Sequence, residues 1–293
     1  MPTQDLPDFD ALWDYRKPAE TEMRFRAILP QAEASADRGY HLELLTQIAR
    51  TMSLRRQFDA AHALLDQIES KLTPDLKQAK VRYLLERGRT HNSADETDKA
   101  RPLFHEAMTL AQEIGADGYA VDAAHMIAIV AAGEDALNWN LEAIKAAEAS
   151  TQPPARKWLG SLYNNLGWSY HDLDRFADAL AMFQKGEVWQ AEHGKPGTHR
   201  IARWCVARTL RSLGRYEEAL AIQEALLKDY EAIDEEPGFT YEELGECLFA
   251  LDRKSEAQPY FAKAHAILSA DGFLAMNQPD RIARLRRLAA VDA

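Results

Sequence analysis

Cysteine is scarce in this sequence, and that scarcity argues against two kinds of covalent framework. The 293 residues contain only Cys205 and Cys247, which lie in different segments. Because they form no C-x-x-C pair, we expect neither a disulfide framework nor a cysteine metal site. We predict that both side chains are buried as small apolar groups.

Long apolar runs are also missing. No stretch approaches the roughly 20 apolar residues that a membrane-spanning helix needs. The first fifteen residues, MPTQDLPDFDALWDY, have neither the basic nor the apolar region of a secretory signal. We therefore expect no membrane association and a cytoplasmic location.

Positive charge is in deficit. Lys and Arg number 35 against 46 Asp and Glu, which gives a formal net charge of −11. An acidic chain has no general affinity for nucleic acid or for anionic membranes, so any basic site must be local. Apolar residues make up 46% of the chain, which is enough for a packed core.

Catalytic and metal-binding motifs are absent as well. The sequence contains no H-E-x-x-H, G-x-G-x-x-G, P-loop or G-x-S-x-G segment. His171, Asp172 and Asp174 resemble a fragment of a metal site, but they fall at a predicted turn, where polar residues are common. The acidic segment 95–98 lacks the glycine and terminal glutamate of a calcium loop. We predict a non-enzymatic protein with no cofactor and no metal.

The sequence does contain an internal repeat. The segment YNNLGWSY at 163–170 is followed nine residues on by Ala179 and then by Phe183. On the same frame, six Gly or Ala residues recur at intervals of 39, 40, 39, 40 and 38, and each has a partner twelve residues later. The partner is alanine in every copy except the third, where it is Asn140. The six small residues are Ala49, Gly88, Ala128, Gly167, Ala207 and Gly245.

This pattern resembles the tetratricopeptide repeat signature W-x-x-L-G-x-x-Y followed by A-x-x-x-F, with Tyr163 in place of the leading Trp. The resemblance covers residues 40 to 270. HEAT and armadillo repeats have a similar period, but the Leu-Gly and Ala-x-x-x-Phe pairings favour the tetratricopeptide type. The longer period is similar to variants in kinesin light chains and bacterial quorum-responsive regulators. The resemblance implies an all-α fold, an α-α superhelix or solenoid of about six helix-turn-helix repeats.

The ends of the chain are predicted to cap this solenoid. We assign residues 1–39 to an N-terminal segment and capping helix, 40–272 to the six repeats, and 273–293 to a C-terminal capping helix. The first cap is expected at 19–37. In the second cap, Ile282, Leu285, Leu288 and Val291 recur at helical spacing within an arginine-rich segment. End repeats need such caps because their apolar faces would otherwise meet solvent.

In such arrays partners bind on the concave surface, which is lined by the first helix of each repeat, the A-helix. Inward positions should lie one turn apart, and in the first five copies they hold no carboxylate but four arginines and two tryptophans. One alternative is that the arginines pair with neighbouring Asp and Glu and the tryptophans are core. The predicted groove residues are Arg50, Arg89, His125, Asn164, Trp168, Trp204, Arg208 and Arg211.

From this stripe we predict a non-catalytic adaptor or scaffold that binds a peptide or partner protein, acidic or carboxylate-bearing, in the groove. Replacing Arg89, Arg208 or Trp168 by alanine is expected to weaken binding without changing the melting temperature. The two-carboxylate clamp of chaperone-binding tetratricopeptide domains is not expected, since only Asn165 matches it. The alternatives are a regulator switched by a small peptide or metabolite, and a self-assembling structural protein.

Overall fold

The computed structural model describes residues 6–290, and in this part of the chain it contains helices and no strand, which confirms the all-α prediction. Val291, predicted to belong to the C-terminal cap, lies outside the described residues. Within the described range, no helix combines the length and apolar character needed to cross a membrane. A 3-10 helix at Phe9–Leu12 precedes the α-helices, which are α1 (Pro18–Ala34), α2 (Arg38–Leu54), α3 (Phe58–Glu69), α4 (Lys77–Ser93), α5 (Thr97–Glu113), α6 (Asp117–Val130), α7 (Gly133–Ala149), α8 (Pro153–Arg156), α9 (Leu159–Asp172), α10 (Phe176–His193), α11 (Pro196–Ser212), α12 (Tyr216–Glu231), α13 (Gly238–Ala250), α14 (Lys254–Leu268), α15 (Gly272–Asn277) and α16 (Pro279–Ala289).

Six pairs of A- and B-helices follow the predicted repeats: α2 with α3, α4 with α5, α6 with α7, α9 with α10, α11 with α12, and α13 with α14. Five of the pairs are joined by three residues, and the middle one of the three has a positive φ between 55° and 74°. Glycine takes this left-handed conformation freely, and Asp tolerates it better than most residues. These middle residues are Arg56, Asp95, Asp174, Gly214 and Asp252.

The third pair departs from the other five. Its A-helix ends at Val130, only two residues after the repeat position Ala128, and the positive φ falls on Gly133. The frame places that turn residue at position 135, so the third turn comes two residues early. Asn140, at the usual alanine position, is buried and donates from Nδ2 to the Ala136 carbonyl at 3.0 Å. Bonding within its own helix lets the polar side chain replace alanine in the interior.

The two helices of a pair approach most closely at the small residue of the repeat. A Cβ added to Gly167 would lie 2.6 Å from the Phe183 ring, and one added to Gly88 would lie 2.5 Å from Phe104. Gly245 meets Phe261 in the same way at 2.8 Å. The other three copies have Ala at this position and a smaller residue than Phe four residues after the second small position, namely Leu65, Ile144 and Gln223. Glycine therefore accompanies the large ring, and alanine accompanies the smaller side chains.

The chain divides into two compact units, Met1–Leu162 and Tyr163–Ala293, with the boundary inside α9. The sequence did not predict this division. In the first unit α1 packs against α2, and in the second α16 packs against α14, so both flanking segments contain helices that cover a repeat. The C-terminal segment holds two helices where one was predicted. The short α8 was also not predicted, although Pro153 and Pro154 suit the first turn of a helix.

Both cysteines are buried as predicted, Cys205 in α11 and Cys247 in α13. Burial raises the pKa of each thiol to about 12. At neutral pH both remain protonated, and neither has the thiolate character of a reactive cysteine.

Replacing Gly167 by alanine should destabilise the fourth pair, because the new methyl group meets the Phe183 ring. Overpacking of this kind costs about 1–3 kcal/mol in the free energy of unfolding. Urea titration followed by far-UV circular dichroism measures the loss. The double variant Gly167→Ala/Phe183→Leu should recover part of it, since it reproduces the combination of Ala49 with Leu65.

Gly197 supplies the control, because a Cβ there meets nothing within 4 Å. Gly197→Ala should leave the free energy of unfolding unchanged or slightly raised. Equal destabilisation by Gly167→Ala and Gly197→Ala would show that the close approach of the helices does not limit stability.

Candidate functional site

The eight residues predicted for the groove fall into two groups, one in each unit. Arg50, Arg89 and His125 line a single cavity of the first unit. The other five belong to α9 and α11 in the second unit: Asn164, Trp168, Trp204, Arg208 and Arg211.

The cavity of the first unit has a volume of about 1110 Å³. The A-helices α2, α4 and α6 form one side of it, and Trp158, which follows α8, adds an aromatic ring. The N-terminal segment supplies further lining residues, among them Asp10, Trp13 and Tyr15. Such a volume lies slightly above the usual range for small-molecule sites, about 300–1,000 Å³, so it suits a ligand as large as a short peptide.

Contacts with two A-helices hold the N-terminal segment in place. The Tyr40 hydroxyl donates to the Pro7 carbonyl at 2.7 Å, and Trp13 Nε1 donates to Gln47 Oε1 at 3.1 Å. The Trp13 ring stacks on Tyr15 with centroids 4.5 Å apart. This part of the site was not predicted, although the sequence shows two aromatic residues close together in a polar terminal segment.

Arg82 of α4 anchors the same segment. Its guanidinium binds both carboxylate oxygens of Asp10 and donates from Nε to the Tyr119 hydroxyl at 2.5 Å. A second carboxylate, from Glu43, lies 3.0 Å from Nε. Burial alone would lower the pKa of Arg82, but the hydrogen bond to Asp10 and the nearby negative groups raise it. The side chain is therefore fully charged and fully partnered.

Arg89 and Arg50 do not face a surface free of carboxylates. Arg89 is buried and donates to Glu86 at 2.7 Å and to Asp122. Arg50 Nε lies 3.6 Å from Glu86 Oε2, its one ion pair among the described residues. Glu86 and Asp122 come from A-helix positions next to the predicted stripe. The alternative that the arginines pair with neighbouring acidic residues is correct for these two.

Two polar atoms at this cluster have no hydrogen-bond partner among the described residues. They are Glu86 Oε2 and His125 Nδ1, and both atoms are buried. Burial lowers the pKa of His125, so its imidazole is neutral at pH 7. The His125 ring lies 5.5 Å from the ring of Trp158. Both residues line the cavity, and a buried polar atom without a partner is costly, so a side-chain rotation that lets a ligand bond to it would remove that cost.

In the second unit, aromatic rings from three A-helices lie next to one another. The Trp168 and Trp204 centroids are 6.2 Å apart, as are those of Trp204 and Phe239. His171 Nε2 lies 3.0 Å from the Ser212 hydroxyl, so the fragment suspected of metal binding has an ordinary hydrogen-bond partner. Trp168 and Trp204, both among the predicted groove residues, therefore lie side by side.

Arg208 and Arg211 share one carboxylate. Arg211 donates to both oxygens of Glu243, at 2.6 and 3.1 Å, and Arg208 Nε lies 3.2 Å from the same group. Arg208 also donates to the Ser212 hydroxyl at 2.6 Å. Burial raises the pKa of Glu243, while the two arginines counteract that shift. Two positive charges against one negative charge leave this cluster with an excess of positive charge.

Neither cluster contains a set of metal-ligating groups. Among the described residues, one group of three can hold a metal ion, and it consists of His62, His91 and Glu96. None of these three residues lines the cavity.

Comparison with known families gives two matches. A tetratricopeptide repeat model matches residues 198–270, and a second tetratricopeptide repeat model matches residues 159–186. Comparison with curated proteins finds no match.

Several solved structures share the fold. The chain is similar to the apo form of RapI, with 14% identity and a TM-score of 0.73 over 96% of this chain and 84% of that one. It is similar to a signal-transduction ATPase with a tetratricopeptide repeat sensor from Pyrococcus horikoshii, with 15% identity and a TM-score of 0.72, over 94% of this chain and 44% of that one. This chain thus spans less than half of the ATPase. BtubC from P. vanneervenii is 14% identical, with a TM-score of 0.59 over 79% of this chain and 94% of that one.

At such identities the similarity concerns the fold, and the fold agrees with the repeats. Six helical pairs follow one sequence frame, and family models match residues in the fourth, fifth and sixth pairs. Residues 159–186 and 198–270 therefore contain tetratricopeptide repeats, and the six helical pairs share the fold of solved tetratricopeptide repeat structures.

Proposed function

We propose that this protein is a non-catalytic interaction module that binds an extended peptide segment of a partner protein in the cavity of its first unit. The observation that carries the proposal is the combination of unsatisfied polar atoms and aromatic rings in one cavity of about 1110 Å³. Tetratricopeptide repeats commonly present their A-helices to partners, and the cavity is built on three of them.

The polar atoms of the cavity match the groups of a peptide backbone. Glu86 Oε2 is free to accept a hydrogen bond from an amide N–H. Arg50, 3.6 Å away and without a hydrogen bond to another described residue, is free to donate to a carbonyl. Trp158 and Tyr15 offer flat apolar surface to the flanking side chains.

The net charge around Arg50 and Arg89 does not favour acidic partners in the first unit. Arg50 and Arg89 carry two positive charges, and Glu86 and Asp122 carry two negative ones. The four groups are neutral together, so we propose that the first unit accepts an uncharged segment. The acidic preference belongs to the second unit, where Arg208 and Arg211 share only Glu243.

A sensor that responds to a small peptide is the second candidate function. It is favoured by the position of the N-terminal segment, which forms part of the cavity lining, so that a ligand entering the cavity contacts it. The similarity to the ATPase with a tetratricopeptide repeat sensor agrees with this candidate. Small-angle scattering with and without captured peptide tests it, because a sensor should change its radius of gyration on binding.

Arg50→Gln should weaken partner capture at least tenfold while leaving the melting temperature within about 2 °C of wild type, because the hydrogen-bonded pair of Glu86 and Arg89 remains. Affinity capture from the native cell followed by quantitative mass spectrometry measures the loss. Arg253→Gln is the matched control, since Arg253, the exposed residue that precedes α14, forms its ion pair with Glu256. Equal capture by all three proteins would refute the first-unit site.

Arg89→Leu should behave differently, which corrects the expectation that variants at this residue leave stability unchanged. Its removal leaves Glu86 and Asp122 buried without their main partner, and breaking a buried pair costs about 3–5 kcal/mol. Urea titration measures the change. The triple variant Arg89→Leu/Glu86→Gln/Asp122→Asn should recover most of the loss. A single variant as stable as wild type would show that the ion pairs do not support the unit.

Arg208→Gln tests the acidic preference of the second unit. Glu243 keeps its two hydrogen bonds to Arg211, so the variant should fold as wild type does. Acidic partners should be lost from the captured set by three-fold or more, and raising the salt concentration should produce the same loss in wild type. Retention of those partners at both salt concentrations would contradict the assignment.

A further inference from the structure

A cluster of metal-ligating side chains lies in the first unit, and none of its residues lines the cavity. His62 belongs to α3, His91 to the last turn of α4, and Glu96 is the residue that precedes α5. The His62 and His91 ring centroids are 4.4 Å apart, and His91 Nδ1 lies 2.6 Å from Glu96 Oε2. One ligand atom from each of the three residues lies within 4.8 Å of the other two.

We propose that His62, His91 and Glu96 form a binding site for a divalent transition metal ion of the Zn²⁺ class. Two imidazoles with one carboxylate suit Zn²⁺, Cu²⁺ and Ni²⁺, whereas Mg²⁺ and Ca²⁺ prefer oxygen ligands alone. Three protein ligands leave one tetrahedral position for water or a fourth side chain. The site is separate from the proposed peptide cavity.

The spacing of the ligand atoms fits such an ion after small side-chain rotations. With metal–ligand distances of about 2.0–2.1 Å, tetrahedral ligand atoms lie roughly 3.4 Å apart. The present atoms lie within 4.8 Å of one another, so closing the site needs shifts on the order of 1 Å. His62, His91 and Glu96 are all partly buried, which limits their freedom before an ion binds.

The groups around the site both compete with an ion and support it. Arg87 lies with one guanidinium nitrogen 3.1 Å from His62 Nδ1, so an ion at that nitrogen must displace it. Arg87 keeps other partners, because it also binds Asp66 and lies 3.7 Å from Glu69. Lys99 Nζ donates to the second oxygen of Glu96 at 2.6 Å, which leaves Oε2 directed at His91.

Asp66 is positioned to complete the coordination. It follows His62 by four residues on α3, which places both side chains on one face of the helix. Its side chain is 68% exposed and is held only by Arg87 among the described residues. If an ion displaces Arg87 from His62, Asp66 is a carboxylate on the same helix that can take the fourth position.

An ion at this site would connect the B-helix of the first pair to the A-helix of the second pair and to the turn that follows it. Metal binding would therefore stabilise the folded first unit, since the ligands are brought together only by folding. This gives a readout that is independent of partner capture. Failure of the metal proposal would leave the peptide proposal untouched, and the converse also holds.

Zn²⁺ titration of the full chain, free of any affinity tag, against a competing chromophoric chelator tests the proposal. We expect one Zn²⁺ per chain, at least ten-fold weaker binding in His62→Gln and in His91→Gln, and unchanged binding in the control His193→Gln. Circular dichroism checks that each variant is folded, and Glu96→Gln provides a further variant at a turn. Co²⁺ should give the visible absorption of tetrahedral coordination.

Thermal unfolding with and without Zn²⁺ supplies the second readout. Zn²⁺ should raise the melting temperature of wild type and of His193→Gln but not that of His62→Gln/His91→Gln. Full-strength binding by that double variant would place the ion elsewhere and overturn the proposal. So would the absence of Zn²⁺ binding by wild type, or equal displacement of Zn²⁺ by Mg²⁺ or Ca²⁺.

Discussion

In the second, fourth and sixth helical pairs, the close approach of the two helices at one glycine sets the geometry on which the rest of the pair depends. At Gly88, Gly167 and Gly245 a phenylalanine ring occupies the volume that a Cβ would need. A helix that packs this closely has few alternative positions, because displacement either opens a gap or forces a clash. The side chains that follow along the same A-helix are thereby held in a defined direction. The positions of the side chains on the inner face of each unit therefore depend on this contact.

Charge on those inner faces is arranged in local pairs. An isolated guanidinium in a half-buried position would lose hydration without compensation, and burial accordingly lowers the pKa of Arg50 and Arg208. Carboxylates from neighbouring A-helices supply the compensation: Asp122 of α6 for Arg89, and Glu243 of α13 for Arg211. These ion pairs neutralise the arginine charges, and they also connect successive A-helices. The arginines of the predicted stripe therefore also join one repeat to the next.

The repeats could be predicted from the sequence because helix packing requires the same kinds of residue at regular intervals. Gly or Ala at one position and an apolar residue sixteen positions later recur in most copies, and the helical pairs follow that frame. The irregular third turn was signalled by Asn140, the one copy without alanine. By contrast, the short α8 and the division inside α9 have no counterpart in the repeat frame.

Only part of the candidate site could be predicted from the sequence. Position along an A-helix identified Arg50, Arg89 and His125, which do line one cavity. It did not identify Glu86 or Asp122, because an acidic residue at a flanking position looks like any solvated residue until the neighbouring helix is placed beside it. The contribution of Asp10 and Trp13 was equally hidden, since Asp10 lies 72 residues from its partner Arg82. Contacts at such separations follow from the fold and not from local pattern.

The flanking segments bind to part of the inner face of each unit. Asp10 and Trp13 bond to Arg82 and Gln47 in the first unit, and Arg281 and Arg284 of α16 bond to Glu242 and Glu246 in the second. Glu242 and Glu246 occupy inward positions of the sixth repeat, the only copy with carboxylates there. These two carboxylates therefore bind the C-terminal cap, and they do not indicate the charge of a partner. In the first unit the residues with unused hydrogen-bonding capacity are Arg50, Glu86 and His125, and they line the cavity together with the N-terminal segment.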